Sequence, residues 1–518
     1  MTAVTPKRRW PLILLALILL GGVLWMLSDP AALPIGTPSP ETMDTPPSTP
    51  AASQAEPDTN IEALLPELQS LRNMDLDKPT SRRVLDLQHW NTSQGTRVYF
   101  MQAKELPMLD VQLLFAAGAS RDETLPGLAT MTNAMLNEGT ADQDAGAIAV
   151  GFERLGAEFS NSSHRDMALA GLRTLTAEDK LDAALEQFAN VVSRPSFPAD
   201  AFERLRNQLL AGLQLRLQRP SALASEAFWH DLYPEHPYGS LPEGTADSVR
   251  ELTPDTLRGF HQQYYNAGNT VIALVGDIDR AHAERIAQRL ADALPQGTAA
   301  APIGEPAPIS SSHHHIDFNG QQTHILVGQH GINRGNPDYA ALYVGNQILG
   351  GSGFGSRLMQ EIRESRGLSY SVSSSLIPMQ ATGPFMISMQ TRADQADLAL
   401  SVIHQTLDNF IVQGPTEDEL IRTKRQISGQ FPLSTANNSA IVSQLGMIGF
   451  YGLPLNHLQL FLDQVQALTT QDIREAFARH FDPQRRLVVT VGPAINSEPE
   501  QQDPTETDPA DTVMDPVQ

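Results

Sequence analysis

Apolar and polar residues follow one another along the chain in patterns that predict both strands and helices. Residues 111–117 are apolar and predict a buried strand, which Gly118 breaks. A helix is expected to begin near Thr124, with Pro126 in its first turn and Gly139 as its stop. Its apolar side chains recur every three or four residues, which places them on one buried face.

The same criteria predict three further elements. A helix extends from about residue 201 to residue 218, and Pro220 ends it. In the second half of the chain, the glycine-rich residues 350–355 lead into a helix that carries Arg363. Residues 370–376 are rich in serine and β-branched side chains and predict a strand.

One unit of helix and strand occurs twice in the sequence. Residues 252–276 predict a helix, an aromatic residue at its end and a buried strand closed by Gly276. Residues 468–492 repeat this order without a gap and close on Gly492. The repeat therefore predicts two homologous domains.

Composition separates these domains, at 61–296 and 310–495, from the rest of the chain. Residues 1–28 contain a basic stub and an apolar run, 10–27, long enough to span roughly 27 Å of hydrocarbon. This run predicts an uncleaved membrane anchor with the basic residues in the cytoplasm, and a cleaved signal peptide is the alternative. The remaining segments are a Pro/Ser/Thr-rich tether at 29–60, an Ala/Pro-rich linker at 297–309 and an acidic, disordered tail at 496–518.

The overall charge and the cysteine count exclude several classes of function. With 36 basic and 59 acidic residues, the formal net charge is −23, which argues against nucleic acid as a partner. The chain has no cysteine, so disulfides, thiolate catalysis and cysteine-based zinc sites are excluded.

Phrases in both halves resemble the pitrilysin- or insulinase-type zinc peptidases, a family that includes the mitochondrial processing peptidase. They occur in matching order between about residues 90 and 495, at 125–140, 152–157, 236–239, 275–277, 348–351 and 363–370. The resemblance implies an α+β protein of two homologous domains, each a largely antiparallel sheet packed with helices, after the N-terminal transmembrane helix.

The zinc motif of that family is missing here. Active members carry His-x-x-Glu-His on the first-domain helix, where the two imidazoles bind zinc and the Glu is the general base. The matching positions here are Thr130, Asn133 and Ala134, and the third ligand falls near Ala211 and Gly212. None of these side chains can supply the imidazoles, the carboxylate or the base, so we expect no metal in this chain.

Other histidines could form a different metal site. His313 and His315 would face the same side of a strand, with His314 and His324 nearby. The alternative is a polar strand after a serine-rich linker, because no carboxylate completes a ligand set. A second group, His230, Glu235 and His236, lacks the spacing of one helix face.

The family's substrate-binding pair is intact. By resemblance, Arg366 and Tyr370 bind the substrate's backbone carbonyl and the developing oxyanion, a role that suits a guanidinium and a phenol. The alternative is structural: Arg366 would pair with Glu361 or Glu364 on a solvated helix end, and Tyr370 would begin a half-buried strand.

Two further segments resemble substrate-binding elements of the family. One is the edge strand on which a peptide adds as an extra strand, formed here by Ala157, Glu158, Phe159, Ser160 and Asn161. The other is a mobile loop, with Gly350, Gly351, Gly353 and Gly355. A phosphate-binding loop is the alternative for the second segment, but no Lys-Ser/Thr follows it.

Together these features predict a zinc-less subunit, inactive alone, that binds peptide or unfolded protein and pairs with a zinc-bearing homologue. Arg366 and Tyr370 would then complete the partner's active site, and the only zinc would be the partner's. The anchor would hold the chain in a bacterial inner membrane, with its bulk in the periplasm. The alternatives are a non-enzymatic scaffold protein and a metallopeptidase with unconventional ligands.

Overall fold

The computed structural model describes residues 85–494. The predicted membrane anchor, the tether and the acidic tail lie outside the described residues. Between residues 85 and 494, no helix is both long and apolar enough to cross a membrane.

The first half of the described chain forms a six-stranded sheet in the order β1-β2-β6-β3-β5-β4. Its strands are β1 (Gln88–Asn91), β2 (Arg97–Gln102), β3 (Met108–Phe115), β4 (Glu158–Ser163), β5 (Ala168–Leu175) and β6 (Thr270–Gly276). Only β2 and β6 pair in parallel, and the other neighbours are antiparallel.

The second half forms a five-stranded sheet in the order β7-β11-β8-β10-β9. Its strands are β7 (Ser312–Asp317), β8 (Gln322–His330), β9 (Val372–Leu376), β10 (Pro384–Arg392) and β11 (Leu487–Gly492). The single parallel pair is β7 with β11. Apart from β1, both sheets therefore share one strand order, as two homologous halves require.

Fourteen α-helices accompany the two sheets within residues 85–494. The first eight are α1 (Leu128–Ala134), α2 (Ala145–Leu155), α3 (Glu178–Ser193), α4 (Ala199–Arg216), α5 (Pro220–Leu232), α6 (Ala246–Glu251), α7 (Pro254–Tyr264) and α8 (Arg280–Ala293). The others are α9 (Tyr339–Asn346), α10 (Ala396–Gln413), α11 (Glu417–Gln430), α12 (Asn438–Phe450), α13 (His457–Ala467) and α14 (Thr470–His480).

Each sheet has one face covered by helices of its own half and the other face covered by a helix of the opposite half. Helix α12 packs on β2, β3 and β6 of the first sheet, where Leu445 and Ile448 meet Val271. Helix α5 packs on β8 and β11 of the second sheet, where Phe228 meets Val489. The two halves therefore complete each other's cores and belong to one compact unit.

The predicted repeat is confirmed. Helices α7 and α14 both begin with a capping box, formed by Thr253 and by Thr469, and each precedes a buried strand, β6 or β11. The following strand is fully buried in both cases because each of its faces is covered by helices.

Several predicted boundaries were wrong. The helix expected near Thr124 is α1, which begins at Leu128 and ends at Ala134, before the proposed stop at Gly139. Its N-terminus is capped by a residue six positions before the helix, as described below, rather than by Thr124. Pro220 was expected to end α4, but α4 already ends at Arg216. Pro220 is the first residue of α5, where a missing N–H is tolerated.

The other predicted elements are close to those in the structure. The strand at 111–117 is β3, shifted to 108–115, and the strand at 370–376 is β9, which begins at Val372. The predicted helix through Arg363 is present as two helical residues followed by a π-helical turn, Met359–Glu364. Its wider winding follows from i to i+5 bonding, which no local sequence pattern predicted.

Candidate functional site

Helix α1, where the family's zinc motif would lie, is capped by a buried carboxylate. Asp122 accepts hydrogen bonds from the backbone N–H groups of Gly127, at 2.8 Å, and Ala129, at 2.7 Å. Burial raises the pKa of Asp122 to about 7, while the two N–H donors lower it. No sequence pattern indicated this cap, because a turn separates Asp122 from the helix.

Two of the three positions that correspond to the zinc motif have structural roles. The Thr130 hydroxyl donates to the carbonyl of Pro242 at 2.7 Å. Asn133 is 2% exposed, and its Nδ2 donates to the carbonyl of Leu169 at 3.1 Å and lies 3.3 Å from the Tyr265 hydroxyl. Ala134 is exposed and offers no ligand atom. These residues do not fit a zinc ion.

The imidazole of His261 lies near this helix, but it is buried in the core and hydrogen-bonded there. His261 stacks on Tyr265, with ring centroids 4.8 Å apart, and its Nε2 donates to the carbonyl of Val192 at 2.8 Å. Burial lowers the pKa of His261 to about 4, so the ring is neutral at physiological pH. The third-ligand positions, Ala211 and Gly212, are exposed on α4 and have no ligating side chain.

His313 and His315 face the same side of β7, as predicted, and both lie against a hydroxyl. His313 Nε2 and His315 Nδ1 lie 3.0 Å and 2.8 Å from Oγ1 of Thr490 on the neighbouring strand. On the other side of the strand, His314 Nδ1 lies 2.6 Å from a carboxylate oxygen of Asp231. His324 lies on β8 and has its pKa lowered by burial.

The two imidazoles of the second histidine group are also held by hydrogen bonds. His230 Nδ1 lies 2.8 Å from the Asp231 carboxylate. His236 uses both ring nitrogens, since Nδ1 accepts from the N–H of Tyr238 and Nε2 donates to the carbonyl of Gly304. Within residues 85–494, no three His, Asp or Glu side chains are grouped to hold a metal ion.

Arg366 and Tyr370 lie on either side of the turn that ends the second half's π-helical segment. Gly367 makes this turn with a φ of 62°, a conformation that glycine adopts without strain. The Arg366 guanidinium donates to the backbone carbonyl of Glu361 at 2.7 Å and to its carboxylate at 2.5 Å. The ion pair anticipated as the structural alternative is thus present, although both side chains remain partly exposed.

The backbone around Tyr370 is fixed, whereas its side chain projects outward. Ser369 Oγ lies 2.7 Å from the carbonyl oxygens of Ser371 and of Gln390 on β10, and it accepts from the N–H of Ser371. The Tyr370 side chain is 80% exposed. Tyr370 therefore precedes β9 rather than beginning it, and the phenol is accessible.

The predicted edge strand lies at the end of the first sheet. Residues 158–163 form β4, which pairs only with β5 among the described strands, and Ala157 directly precedes it. Asn161 Nδ2 donates to the backbone carbonyl of Asn133 at 2.6 Å. The structure thus joins the edge strand to the degenerate zinc helix, while peptide binding at this edge stays a prediction.

The glycine-rich segment follows the equivalent helix of the second half. Residues 347–351 form a π-helical turn after α9, and residues 353–355 a 3₁₀ turn. A Cβ on Gly350 would lie 2.5 Å from Ser374 Oγ on the edge strand β9, so glycine is needed for this approach. Ser374 Oγ in turn donates to Oδ1 of Asn346 at 2.7 Å, which mirrors the Asn161–Asn133 contact of the first half.

One buried carboxylate that the sequence did not reveal joins the two halves. Asp166, 2% exposed, accepts hydrogen bonds from the Tyr238 hydroxyl at 2.6 Å, the Gln380 N–H at 2.8 Å and the Tyr451 hydroxyl at 3.1 Å. Tyr238 follows α5 and Tyr451 follows α12. The two helices that each pack on the sheet of the opposite half therefore end near the same carboxylate. Burial raises the pKa of Asp166, and these donors oppose the rise.

These features define a protein of two homologous α+β halves, built like a peptidase but without zinc-binding side chains on α1. Residues 98–245 match the family Insulinase (Peptidase family M16), and residues 251–427 match the Peptidase M16 inactive domain. The chain belongs to the M16 peptidase family.

Solved structures and curated proteins agree with this assignment. A crystal structure of a peptidase M16 inactive domain from Pseudomonas fluorescens is 48% identical, with a TM-score of 0.78 over 80% of this chain and 100% of that chain. A Helicobacter pylori protein named Non-peptidase homolog YmxG is 27% identical over 72% of this chain and 87% of its own length. A Streptomyces coelicolor protein named an uncharacterized zinc protease is 25% identical over 73% and 84%.

Proposed function

We propose that this chain is the zinc-less subunit of a two-chain M16 peptidase. It binds extended peptides and supplies Arg366 and Tyr370 to the active site of a zinc-bearing homologue. The chain is held at the bacterial inner membrane by residues 10–27, with its bulk in the periplasm.

The observation that carries this proposal is the exposure of Tyr370 on a fixed backbone. Because Tyr370 is 80% exposed, its side chain adds little hydrophobic stabilisation to the fold. A contribution to the core therefore does not explain why a tyrosine lies here. A phenol and a guanidinium four residues apart can both donate to an oxygen that gains negative charge during peptide hydrolysis. The Arg366–Glu361 ion pair does not exclude this role, because a partly exposed pair is held by only about 0–1 kcal/mol.

The edge strand β4 supports a role in peptide binding. Its outer backbone edge is not paired with another described strand, which leaves N–H and C=O groups available for an added strand. On the same half, α1 supplies no zinc ligand, so hydrolysis requires a second chain with the complete motif.

The test is co-expression with a zinc-bearing homologue from the same bacterium, followed by isolation of the complex and a peptidase assay. Arg366→Ala and Tyr370→Phe are expected to lower kcat/KM by about 10- to 1000-fold, as loss of oxyanion donors does. Arg392→Ala is the matched control, since this exposed arginine of the same half pairs locally with Asp394. Equal activity of all variants would refute the proposed role.

Metal analysis tests the zinc-less assignment separately. The purified chain is expected to contain zinc well below one equivalent after dialysis against a weak chelator. Stoichiometric, tightly bound zinc would instead favour a metallopeptidase with unconventional ligands. A complex that forms but shows no dependence of activity on the Arg-Tyr pair would favour the scaffold alternative.

A further inference from the structure

The side chain of Arg363, one helical turn before the Arg-Tyr pair, contacts the Tyr370 ring. Its guanidinium carbon lies 4.6 Å from the centre of the Tyr370 ring and 4.7 Å from the centre of the Phe354 ring. Both distances are within the range of a cation–π contact. One guanidinium thus contacts two exposed aromatic rings.

Polar partners do not account for the position of Arg363. Its Nη1 is buried and has no hydrogen-bond acceptor among the described residues. The nearby Glu361 carboxylate is bonded to Arg366 instead. The aromatic rings are therefore the main partners of this guanidinium, which suits arginine better than lysine because a planar group stacks on a ring.

Phe354 connects this contact to the glycine-rich segment. It lies between Gly353 and Gly355 and is 67% exposed, so its ring is not held in the core. Its contact with Arg363 joins the segment to the Arg-Tyr turn.

An exposed tyrosine without such a contact exchanges among staggered side-chain rotamers. The backbone bonds of Ser369 and Ser371 fix where Tyr370 leaves the chain but not where its hydroxyl points. The direction of the hydroxyl depends on the ring contact. A catalytic donor needs that direction fixed before substrate binds.

We infer that Arg363 is a positioning residue for Tyr370, with Phe354 completing the contact. In this role Arg363 acts by restricting the Tyr370 ring to one orientation. The contact itself stands on the geometry alone, and its consequence for catalysis rests on the proposed function.

The contact can be tested in the full chain without a partner. The nine tyrosines are replaced by 3-fluorotyrosine, and Tyr370→Phe identifies the Tyr370 signal in the ¹⁹F NMR spectrum. Arg363→Met is expected to shift and narrow this signal, because the ring becomes free to reorient, and Arg363→Lys should have a smaller effect. The control is Arg280→Met, which removes an arginine 3.7 Å from the Trp90 ring in the first half. An unchanged Tyr370 signal in Arg363→Met would overturn the inference.

The consequence for catalysis is tested in the two-chain complex. Arg363→Met is expected to lower kcat by about 2- to 5-fold with KM unchanged, and Arg363→Lys should recover part of the loss. If Tyr370→Phe lowers turnover and Arg363→Met does not, the positioning role is wrong and the proposed function stands. If Tyr370→Phe has no effect, the proposed function is wrong, and the ¹⁹F spectrum still decides whether Arg363 holds the ring.

Discussion

Replacing Asp166 with alanine is expected to weaken the connection between the two halves of the protein. The variant removes the acceptor for three donors: the Tyr238 hydroxyl, the Gln380 N–H and the Tyr451 hydroxyl. A buried donor left without an acceptor costs about 1–3 kcal/mol. Loss of the buried charge offsets part of this sum, since burial disfavours the ionised carboxylate.

We therefore expect Asp166→Ala to lower the free energy of unfolding by ~3–5 kcal/mol. The matched control is Tyr451→Phe, which removes only the longest of the three hydrogen bonds and should cost ~1 kcal/mol. Urea unfolding of the purified chain, followed by tryptophan fluorescence, measures both. Trp229 is a suitable probe because it stacks under Arg165, the residue next to Asp166.

A second observable tests where the loss occurs. Because Gln380 lies in the second half and Asp166 in the first, hydrogen exchange should increase in α5 and α12, the helices that cross between the halves. If Asp166→Ala is no less stable than Tyr451→Phe, or if exchange rises only in the loop that contains Asp166, the carboxylate does not join the halves as argued.

Three further outcomes are expected. The pKa of Asp122 is raised from 3.8 to about 7 in the folded chain, so between these pH values the carboxyl is more ionised in the unfolded chain than in the folded one. The free energy of unfolding should therefore fall as pH rises through this window. Asp122→Asn should reduce this dependence of the unfolding free energy on pH, as urea unfolding at several pH values would show. Gly350→Ala places a Cβ 2.5 Å from Ser374 and should lower the unfolding free energy by ~1–3 kcal/mol, whereas Gly212→Ala, on an open helix surface, should be neutral or raise it by up to ~1 kcal/mol in the same assay. Asn133→Ala should cost ~1–3 kcal/mol and leave the zinc content unchanged, as calorimetry and metal analysis would show.

The sequence predicts those parts of the fold that depend on local patterns. The repeat at 252–276 and 468–492 could be identified because a capped helix and a buried strand each have a short-range signature. The start of α1 could not, because its cap, Asp122, lies beyond a turn. Histidines 313 and 315 share a strand face, as period-two alternation requires, but Thr490 on the neighbouring strand decides what they contact.

Long-range pairings are the part that the sequence could not provide. The apolar side chains Ala224, Phe228 and Leu232 recur every four residues and predict a buried face on α5, but not the sheet that buries it. Tyr238 lies within the phrase 236–239 that carried the family resemblance, and its hydroxyl bonds to Asp166, a partner 72 residues away that the phrase did not indicate. Arg363 lies within the phrase 363–370, but nothing in that phrase indicated that its guanidinium contacts the rings of Phe354 and Tyr370.

The exchange of α5 and α12 has a consequence for how such a protein could arise. If either half were produced alone, its sheet would leave one apolar face without a helix. A protein with a single copy of the repeat could cover this face by forming a symmetric dimer, in which the helix of each copy packs on the sheet of the other. Duplication and fusion would then convert an exchange between two chains into one within a chain, and cutting the 297–309 linker should yield two fragments that remain associated.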